Sequence, residues 1–382
     1  MRPSLAALTL ALVAVATCSA TAPGDQTGRR SVSTDGTVYV TTADVARAGP
    51  TPAGSTLAGV RTITFGLKGT VTALSADGPL VAFDEQTKEG CDSFHFWNPL
   101  TKASSKGKDG CIDPSTSDTN GDYLTLSGTR ALWADFEYGN ESYCTSWTST
   151  PAKPTVTDAG LCSGEPDDVV GGIAGEGGSF TVNHWIDCNQ RCPGGVTTAS
   201  GHRVSDVTLT RVDANRSHHE IGSGGTALAV ADMDGGRILL VRPDDKLAIL
   251  SNGGKVLRTI AFQTARVDGA FLQGDDVAIQ TSNELLDFSA SSGKEKWHRA
   301  IPKSDDLVFG GIQSGIAVYT IGRQVVLVRL GNGHSVTFKP GLAPVNARLG
   351  TAGLFYGYTE PKDGEVGHVA FVALADIEHA TR

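Results

Sequence analysis

Three short stretches of the sequence contain residue types that could bind a metal ion or take part in acid–base chemistry. In ADMDGG, Asp232 and Asp234 stand one residue apart before two glycines. In DPSTSDTNGDY, Asp118, Asn120 and Asp122 occupy alternate positions. Calcium loops use carboxylate and amide oxygens at such positions, so each stretch is either a calcium site or a turn rich in polar residues.

The calcium pattern is incomplete in the second stretch. Tyr123 stands where the sixth-position glycine of a calcium loop belongs, and Thr129 stands where its closing glutamate belongs. Asp and Asn also cap turns without any metal. We therefore expect no metal and no other cofactor, and keep Asp118, Asn120 and Asp122 as a secondary calcium candidate.

The third stretch, SHHEIG, places His218, His219 and Glu220 in succession. On an extended strand neighbouring side chains point to opposite faces, so His219 cannot share a metal with the other two unless the strand bulges. A charged strand at the edge of a sheet explains the same residues, because charged edges block aggregation. The nucleophile motif G-x-S-x-G, the zinc motif H-E-x-x-H and the phosphate-binding loop are absent from the sequence.

Composition predicts an all-β protein that does not bind nucleic acid. The 382 residues include 47 glycines and only 2 methionines, and short runs of β-branched and aromatic residues alternate with Gly, Asp, Asn and Ser. The formal net charge is -9. Nucleic-acid binding depends on clustered Lys and Arg, so this charge disfavours nucleic acid and anionic membrane surfaces as partners.

The N-terminus predicts export. Residues 1–22 carry one Arg, an apolar run from Leu5 to Ala16 and then small residues, which is typical of a secretory signal and too short to span a bilayer. The stretch VATC ending at Cys18 resembles a bacterial lipobox, with Thr17 off the pattern. We expect a secreted or cell-envelope protein, lipid-anchored if Cys18 is acylated, with residues 23–59 as a tether.

The remaining cysteines predict three disulfides. Without Cys18 the chain has six cysteines, an even number in an oxidising compartment. Sequence neighbours suggest three pairs: Cys91 with Cys111, Cys144 with Cys162, and Cys188 with Cys192. The first two pairs are centred on the polar turns NPLTK and TPAKP, as a bridge across an antiparallel hairpin requires. Zinc is the alternative, but no C-x-x-C pair occurs.

Internal repeats predict the fold. A hairpin pattern such as VTALSADGPLVAF occurs seven times, and each copy is followed by a second pattern such as SFHFWNPLTK. Four strands per unit and seven units describe a seven-bladed β-propeller of four-stranded antiparallel blades over residues 60–382. The strand RTITF, Arg61 to Phe65, precedes the first complete unit, so we expect this N-terminal strand to complete the seventh blade and close the ring.

The repeat also places ADMDGG. It joins the first and second strands of the fourth blade, and its counterparts SADG, SGTR, QGDD, QSG and GTAG do not repeat the acidic pair. An Asp-Gly sequence suits a primed hairpin turn, which needs positive φ. We therefore interpret Asp232 and Asp234 as turn residues.

One segment carries a family resemblance. DFSASSGKEKW resembles the repeat of quinoprotein-like propellers, in which Ser-Gly-Lys follows a strand and a Trp stands four residues after the Gly; Ser292, Gly293, Lys294 and Trp297 match. WD40-like propellers are the other relatives, although no Trp-Asp dipeptide occurs. Quinone enzymes of the family carry adjacent cysteines, which this chain lacks. The resemblance implies a bacterial exported propeller, repeat-built and non-catalytic.

Function is expected on the loops between second and third strands and between blades, which form the usual binding face of a propeller. The acidic candidates there are Asp84, Glu85, Glu137, Glu141, Asp244, Asp245 and Glu360. We predict a monomeric, non-enzymatic scaffold that presents this acidic rim to a protein or glycan partner at the cell envelope. The alternative is a propeller enzyme, a quinoprotein-like oxidoreductase or a hydrolase, that uses the central channel.

Overall fold

The computed structural model describes residues 31–32, 37–40, 60–87, 92–107, 123–137, 143–162, 167–188, 195–197, 203–224, 229–242, 246–262, 267–304, 307–340, 347–360 and 366–382. These residues form seven blades, each with four main antiparallel strands, arranged as a ring. The predicted fold class is confirmed. The number of blades and their order along the chain agree with the repeats.

Three strands precede the first blade: β1 (Ser31–Val32), β2 (Thr37–Val40) and β3 (Thr62–Gly66). Blade 1 contains β4 (Thr70–Asp77), β5 (Leu80–Gln86), β6 (Asp92–Asn98) and β7 (Ala103–Lys106). Blade 2 contains β8 (Tyr123–Ser127), β9 (Arg130–Glu137), β10 (Tyr143–Thr150) and β11 (Lys153–Asp158). Blade 3 contains β12 (Asp168–Glu176), β13 (Ser179–Asp187), the short β14 (Val196–Thr197), β15 (Arg203–Val212) and β16 (His218–Ser223).

The second half of the ring is more regular. Blade 4 contains β17 (Val230–Asp234), β18 (Arg237–Arg242), β19 (Lys246–Ser251) and β20 (Val256–Phe262). Blade 5 contains β21 (Val267–Gln273), β22 (Asp276–Thr281), β23 (Glu284–Ser289) and β24 (Glu295–Ala300). Blade 6 contains β25 (Leu307–Gln313), β26 (Ile316–Ile321), β27 (Gln324–Arg329) and β28 (Ser335–Phe338). Blade 7 contains β29 (Ala347–Gly350), β30 (Gly353–Glu360) and β31 (Val366–Ala373).

The N-terminal strand β3 completes blade 7, as the sequence predicts. It pairs antiparallel with β31, with Thr62 opposite Val372 and Gly66 opposite His368. The first strand of every blade lies innermost and contacts the first strands of its two neighbours, and β29 contacts β4. The two ends of the propeller sequence therefore meet in one sheet and the ring is closed.

Two further strands extend blade 4. β1 pairs with β2, and β2 pairs parallel with β20, so the sheet of blade 4 has six strands in the order β1-β2-β20-β19-β18-β17. Both added strands come from residues 23–59, for which the sequence predicts a tether. The division of the chain into signal, tether and propeller stays a prediction.

The hydrophobic core lies between blades. One cluster joins Leu239 and Ile249 of blade 4 to Leu272 and Ile279 of blade 5, all of them at most 2% exposed. The sheets of neighbouring blades pack face to face, so both faces of each central strand are covered. The sequences of these strands are therefore apolar runs, for example LLV and VAI. This arrangement leaves the inner strands to line the channel and the connecting loops to form the two ends of the ring.

A short helix, which the sequence analysis did not predict, follows the last strand of the propeller. That strand stops at Ala373, and α1 (Leu374–Ala380) follows. Ile377 is fully buried in a core cluster with blade 7, and Arg329 of blade 6 donates from Nε to the backbone oxygen of Thr381 at 3.0 Å. In the described part of the chain, no helix has the length and apolar character needed to cross a bilayer.

One predicted disulfide is present among the described residues. Cys144, in the third strand of blade 2, is bonded to Cys162, which follows the fourth strand. Cys188 is also disulfide-bonded. Its predicted partner Cys192 and the predicted pair of Cys91 and Cys111 lie outside the described residues, so these two pairings stay predictions.

Candidate functional site

A groove of about 410 Å³ lies between blades 2 and 3. We call it the blade 2–3 groove; it is lined by Gly160, Leu161, Cys162, Asp168, His184, Trp185, Ile186, Asp206, Thr208, Thr210 and His218. Most of these residues come from the end of blade 3 at which its first strand begins and its second strand ends. That end of the ring carries the loops where the sequence analysis places function.

Strand alternation turns the groove side chains of blade 3 towards blade 2. Phe180 and Val182 of β13 are buried against blade 2, and side chains two residues apart share a face of a strand. His184 therefore points the same way, and so does Thr210, which pairs with Val182. Near the start of β13 this face is covered by blade 2, whereas near its end it is open and forms the groove.

A bulge aims Asp206 into the groove. The pairing of β13 with β15 shifts between His184 and Ile186, which face Thr208 and Ser205. Within this irregularity Asp206 has a φ of 49°, a conformation that non-glycine residues adopt rarely. Bulges re-aim side chains in this way, often beside functional sites. The Ser205 hydroxyl donates to Oδ2 of Asp206 at 2.9 Å and so orients the exposed carboxylate.

A buried acidic residue and a histidine form the floor of the groove. Asp168 is 5% exposed, and its Oδ1 lies 3.1 Å from Nδ1 of His184. The carboxylate begins β12 and the imidazole lies near the end of β13, so two adjacent strands hold the pair. A hydrogen bond of this kind fixes the orientation of the imidazole ring.

Blade 2 supplies the opposite wall. After β11 the chain turns back, and the backbone N–H of Leu161 donates to the hydroxyl of Ser146 at 3.0 Å. The next residue, Cys162, is bonded to Cys144 at the start of the third strand. The wall is therefore held by a covalent bridge and by hydrogen bonds rather than by side-chain packing alone.

Two glycines make room for the aromatic residue of the groove. Gly171 is the bulged residue of β12, and a Cβ there would overlap the Trp185 ring. At Gly172 a Cβ would lie 2.6 Å from the backbone oxygen of Val230 in blade 4. The pair Gly-Gly therefore lets Trp185 lie over the inner strand and lets two blades approach.

The groove offers mixed polar chemistry. Its described lining residues include two carboxylates, two imidazoles and two threonine hydroxyls beside an indole ring, and no Lys or Arg is among them. Arg216, in the turn before β16, donates instead to the hydroxyl of Thr157 at 3.5 Å. Within the described ranges, no group of three or more His, Cys, Asp or Glu side chains could hold a metal ion.

Glu85 of the predicted acidic rim is not at the surface. It is 4% exposed, and its Oε1 accepts hydrogen bonds from the backbone N–H groups of Lys68 at 2.6 Å and Gly69 at 2.8 Å. Oε2 lies 2.8 Å from Nε2 of His95. Burial pushes the pKa of Glu85 up, but these hydrogen bonds hold it below its ordinary value. Glu85 therefore fastens the connection from β3 to blade 1, and we exclude it from the surface.

The other rim candidates are only partly described. Asp84 is half-buried and accepts a hydrogen bond from the Thr72 hydroxyl at 3.3 Å. Glu137 and Glu360 are the last residues of β9 and β30, at the predicted end of the ring. The remaining candidates lie outside the described residues: Glu141, Asp244, Asp245 and the calcium candidates Asp118, Asn120 and Asp122.

Asp232 and Asp234 connect blades rather than form the turn. Oδ2 of Asp232 accepts the backbone N–H of Leu272 at 2.8 Å, and Oδ2 of Asp234 accepts that of Gly274 at 2.6 Å. The positive φ values belong to Gly235 and Gly236, at 59° and 72°. The prediction of a primed turn is confirmed, but its two central residues are the glycines.

The same connection recurs with other residue types, which the sequence analysis missed. Ser75 and Asp77 of blade 1 accept the backbone N–H groups of Leu126 and Gly128 in blade 2, at 2.9 and 2.6 Å. Between later blades the acceptor is Ser127, Glu176 or Gln273. SADG and ADMDG share a polar residue two positions before the aspartate, and that spacing was the available signal.

The side chain of Arg348, on the inner strand of blade 7, contacts the inner strands of blades 5 and 6. Arg348 of blade 7 donates from Nη1 to the backbone oxygen of Phe309 in blade 6 at 3.1 Å, and its Cζ lies 5.8 Å from the ring centre of Phe271 in blade 5. Burial lowers the pKa of Arg348, and Asp232 of blade 4 opposes that shift. Burial also raises the pKa of Asp232 to about 7. Both side chains keep some solvent exposure, as expected beside a channel.

Comparison with known proteins gives a fold and no family. No family model and no curated protein matches the chain. A chain from the crystal structure of the mitotic checkpoint complex is 11% identical, with a TM-score of 0.50, over 82% of this chain and 91% of that one.

Two other solved structures are similar. Sqt1 of Saccharomyces cerevisiae is 8% identical, with a TM-score of 0.48, over 82% of this chain and 99% of its own. Raptor of Chaetomium thermophilum is 9% identical, with a TM-score of 0.49, over 81% of this chain and 28% of its own. At such identities similarity shows the fold alone, and the quinoprotein-like resemblance stays a prediction. By fold, the chain is a seven-bladed β-propeller.

Proposed function

We propose that the protein is an exported, non-enzymatic propeller that binds a protein partner through the blade 2–3 groove and the loops around it. The observation that carries the proposal is the groove itself. The exposed carboxylate of Asp206 and the half-buried ring of Trp185 lie there opposite a wall that a disulfide holds in place. Rigid elements that present a few polar groups around an aromatic side chain are typical of binding sites.

Two further observations support parts of the proposal. Disulfides persist in oxidising compartments, so the bridge between Cys144 and Cys162 agrees with export. One structural neighbour belongs to a protein assembly, the mitotic checkpoint complex. A lipid anchor on Cys18 would hold the same surface at the cell envelope. A glycan partner would meet the same groove, and the experiment distinguishes the two.

Site-specific photo-crosslinking tests the proposal in cells that make the protein. A photoreactive phenylalanine analogue is placed at Thr208 in the groove and, as control, at Leu257, an exposed residue on the outer strand of blade 4. We expect one distinct protein adduct from position 208 and none from position 257. Equal labelling from both positions, or adducts removed by glycosidase alone, would contradict a protein partner at the groove.

A further inference from the structure

We propose that the blade 2–3 groove recognises a basic side chain, an arginine above all, on the protein partner. The inference rests on the proposed function, because it names the chemistry of the same site. It follows from the charge of the groove, from one carboxylate oxygen left open and from the aromatic ring beside it.

The lining of the groove has a definite charge balance. Among the lining residues that the structure describes, Asp168 and Asp206 carry the carboxylates, and the only basic groups are the imidazoles of His184 and His218. The imidazole of His184 is already engaged with Asp168 at 3.1 Å. The whole chain carries a formal charge of -9, so the field around the groove also favours a cation.

Asp206 provides the open acceptor. Its Oδ2 accepts the Ser205 hydroxyl, and within the described residues no protein group reaches its Oδ1. The bulge and the positive φ set the direction in which this side chain leaves the backbone, and the Ser205 hydroxyl orients its exposed carboxylate. A guanidinium presents a planar fork of donors that suits a carboxylate, whereas an ammonium presents a point charge.

Trp185 provides the second contact. Its ring is held by packing over Gly171, and the same side chain lines the groove. Stacking and cation–π attraction both stabilise a guanidinium next to an indole ring. A neutral group of the same shape can stack but lacks the cation–π attraction. The hydroxyls of Thr208 and Thr210 line the same wall and can accept the remaining N–H groups.

The size of the groove sets the form of the ligand. A cavity of about 410 Å³ is larger than a single side chain, so it accommodates an arginine together with adjoining backbone. The groove therefore has room for an arginine on an exposed loop or chain end of a protein partner.

A matched pair of small probes tests the charge requirement. The purified full-length protein is titrated with Nα-acetyl-arginine amide and with the neutral analogue Nα-acetyl-citrulline amide, and the indole N–H resonance of Trp185 is followed by NMR. We expect saturable shifts with the arginine probe and affinity at least about tenfold weaker with citrulline, as loss of a charged hydrogen bond implies. Equal shifts with both probes, no shift with either, or shifts with monosaccharides alone would overturn the proposal.

Two single substitutions test whether Asp206 is the residue that binds the arginine probe. Asp206→Asn should weaken arginine binding about tenfold, whereas Asp376→Asn, which makes the same charge change on α1, should leave it unaltered. Circular dichroism checks that both variants fold, and the wild-type titration stands even if Asp206→Asn does not. Crosslinking from position 208 distinguishes failure of the basic-ligand proposal from failure of the proposed function. If protein adducts form at position 208 but the arginine probe does not bind, only the basic ligand is refuted. If no adducts form either, the partner function is refuted as well.

Discussion

The backbone N–H of Gly274 donates a 2.6 Å hydrogen bond to Oδ2 of Asp234, so the first turn of blade 5 is fastened to the inner strand of blade 4. Asp77 accepts the N–H of Gly128 in the same way between blades 1 and 2. Hydrophobic contact between blades is non-directional. These hydrogen bonds therefore set the register of one blade against the next.

Removing the acceptor at Asp234 should destabilise the ring. We expect Asp234→Ala to lower the free energy of unfolding by about 1–2 kcal/mol, because the turn N–H loses a charged partner. Asp234→Asn keeps an acceptor oxygen and should lose less. Urea denaturation measures both, with Asp376→Ala on α1 as the control. If Asp234→Ala and Asp376→Ala lowered the free energy of unfolding equally, the hydrogen bond between Asp234 and Gly274 would contribute nothing to stability.

Gly171 should tolerate no side chain. A Cβ there would overlap the Trp185 ring, so we expect Gly171→Ala to lower the free energy of unfolding by about 1–3 kcal/mol. Gly331 has open space around it, and Gly331→Ala should change stability by less than about 0.5 kcal/mol. In a double-mutant cycle with Trp185→Ala the effect of Gly171→Ala should shrink. An unchanged effect would locate the strain elsewhere.

Asp287 should make the protein less stable as pH rises. It is 3% exposed, its Oδ1 has no hydrogen-bond partner among the residues that the structure describes, and burial raises its pKa from 3.8 to about 7. Between about pH 4 and about pH 7 the carboxyl group of Asp287 is therefore protonated in the folded state and ionised in the unfolded state. The stabilisation from this group is complete below about pH 4 and disappears as pH rises to about 7.

The Asn variant isolates this effect. Asp287→Asn should be more stable than the wild type at pH 7.5, by on the order of 2 kcal/mol, and the difference should fall towards zero near pH 4. Chemical denaturation at several pH values between 4 and 8 measures it. A stability difference that does not vary with pH would mean that Asp287 is ionised in the folded protein throughout.

The bridge between Cys144 and Cys162 should stabilise the fold and hold the groove. The two residues are 18 apart in sequence, and closing such a loop contributes about 3 kcal/mol. We expect the double variant Cys144→Ala/Cys162→Ala to unfold at a lower temperature in a thermal scan and to bind the arginine probe more weakly. Since Cys188 is bonded elsewhere, reduction of the wild type should cost at least as much as the double variant.

The fold could be predicted from the sequence because each blade repeats one pattern of apolar runs and polar turns. The position of RTITF before the first complete unit was enough to predict closure by the strand from Thr62 to Gly66. The pairing of Cys144 with Cys162 was suggested by their adjacency among the cysteines and was consistent with hairpin symmetry. α1 was missed because LADIEHA continues an apolar strand without a turn signal.

The groove could not be predicted in the same way. It depends on a bulge at Asp206 and on the fit of Trp185 over Gly171, and neither leaves a periodic signal in the sequence. Glu85 shows the opposite error. An acidic residue at the end of a strand was expected at the surface, but two backbone N–H groups and His95 hold it inside.

Thr62 pairs with Val372, which is far from it in the sequence, and this distance bears on the order in which the blades assemble. β3 is synthesised before blade 1, whereas its partner strand β31 follows the strands of the six other blades, and such distant pairing is slow because a long loop must close first. We therefore expect blade 7 to assemble last and β3 to stay an unpaired edge, open to other chains, until then. A chaperone that covers this strand would act at the step where the ring is most exposed to aggregation.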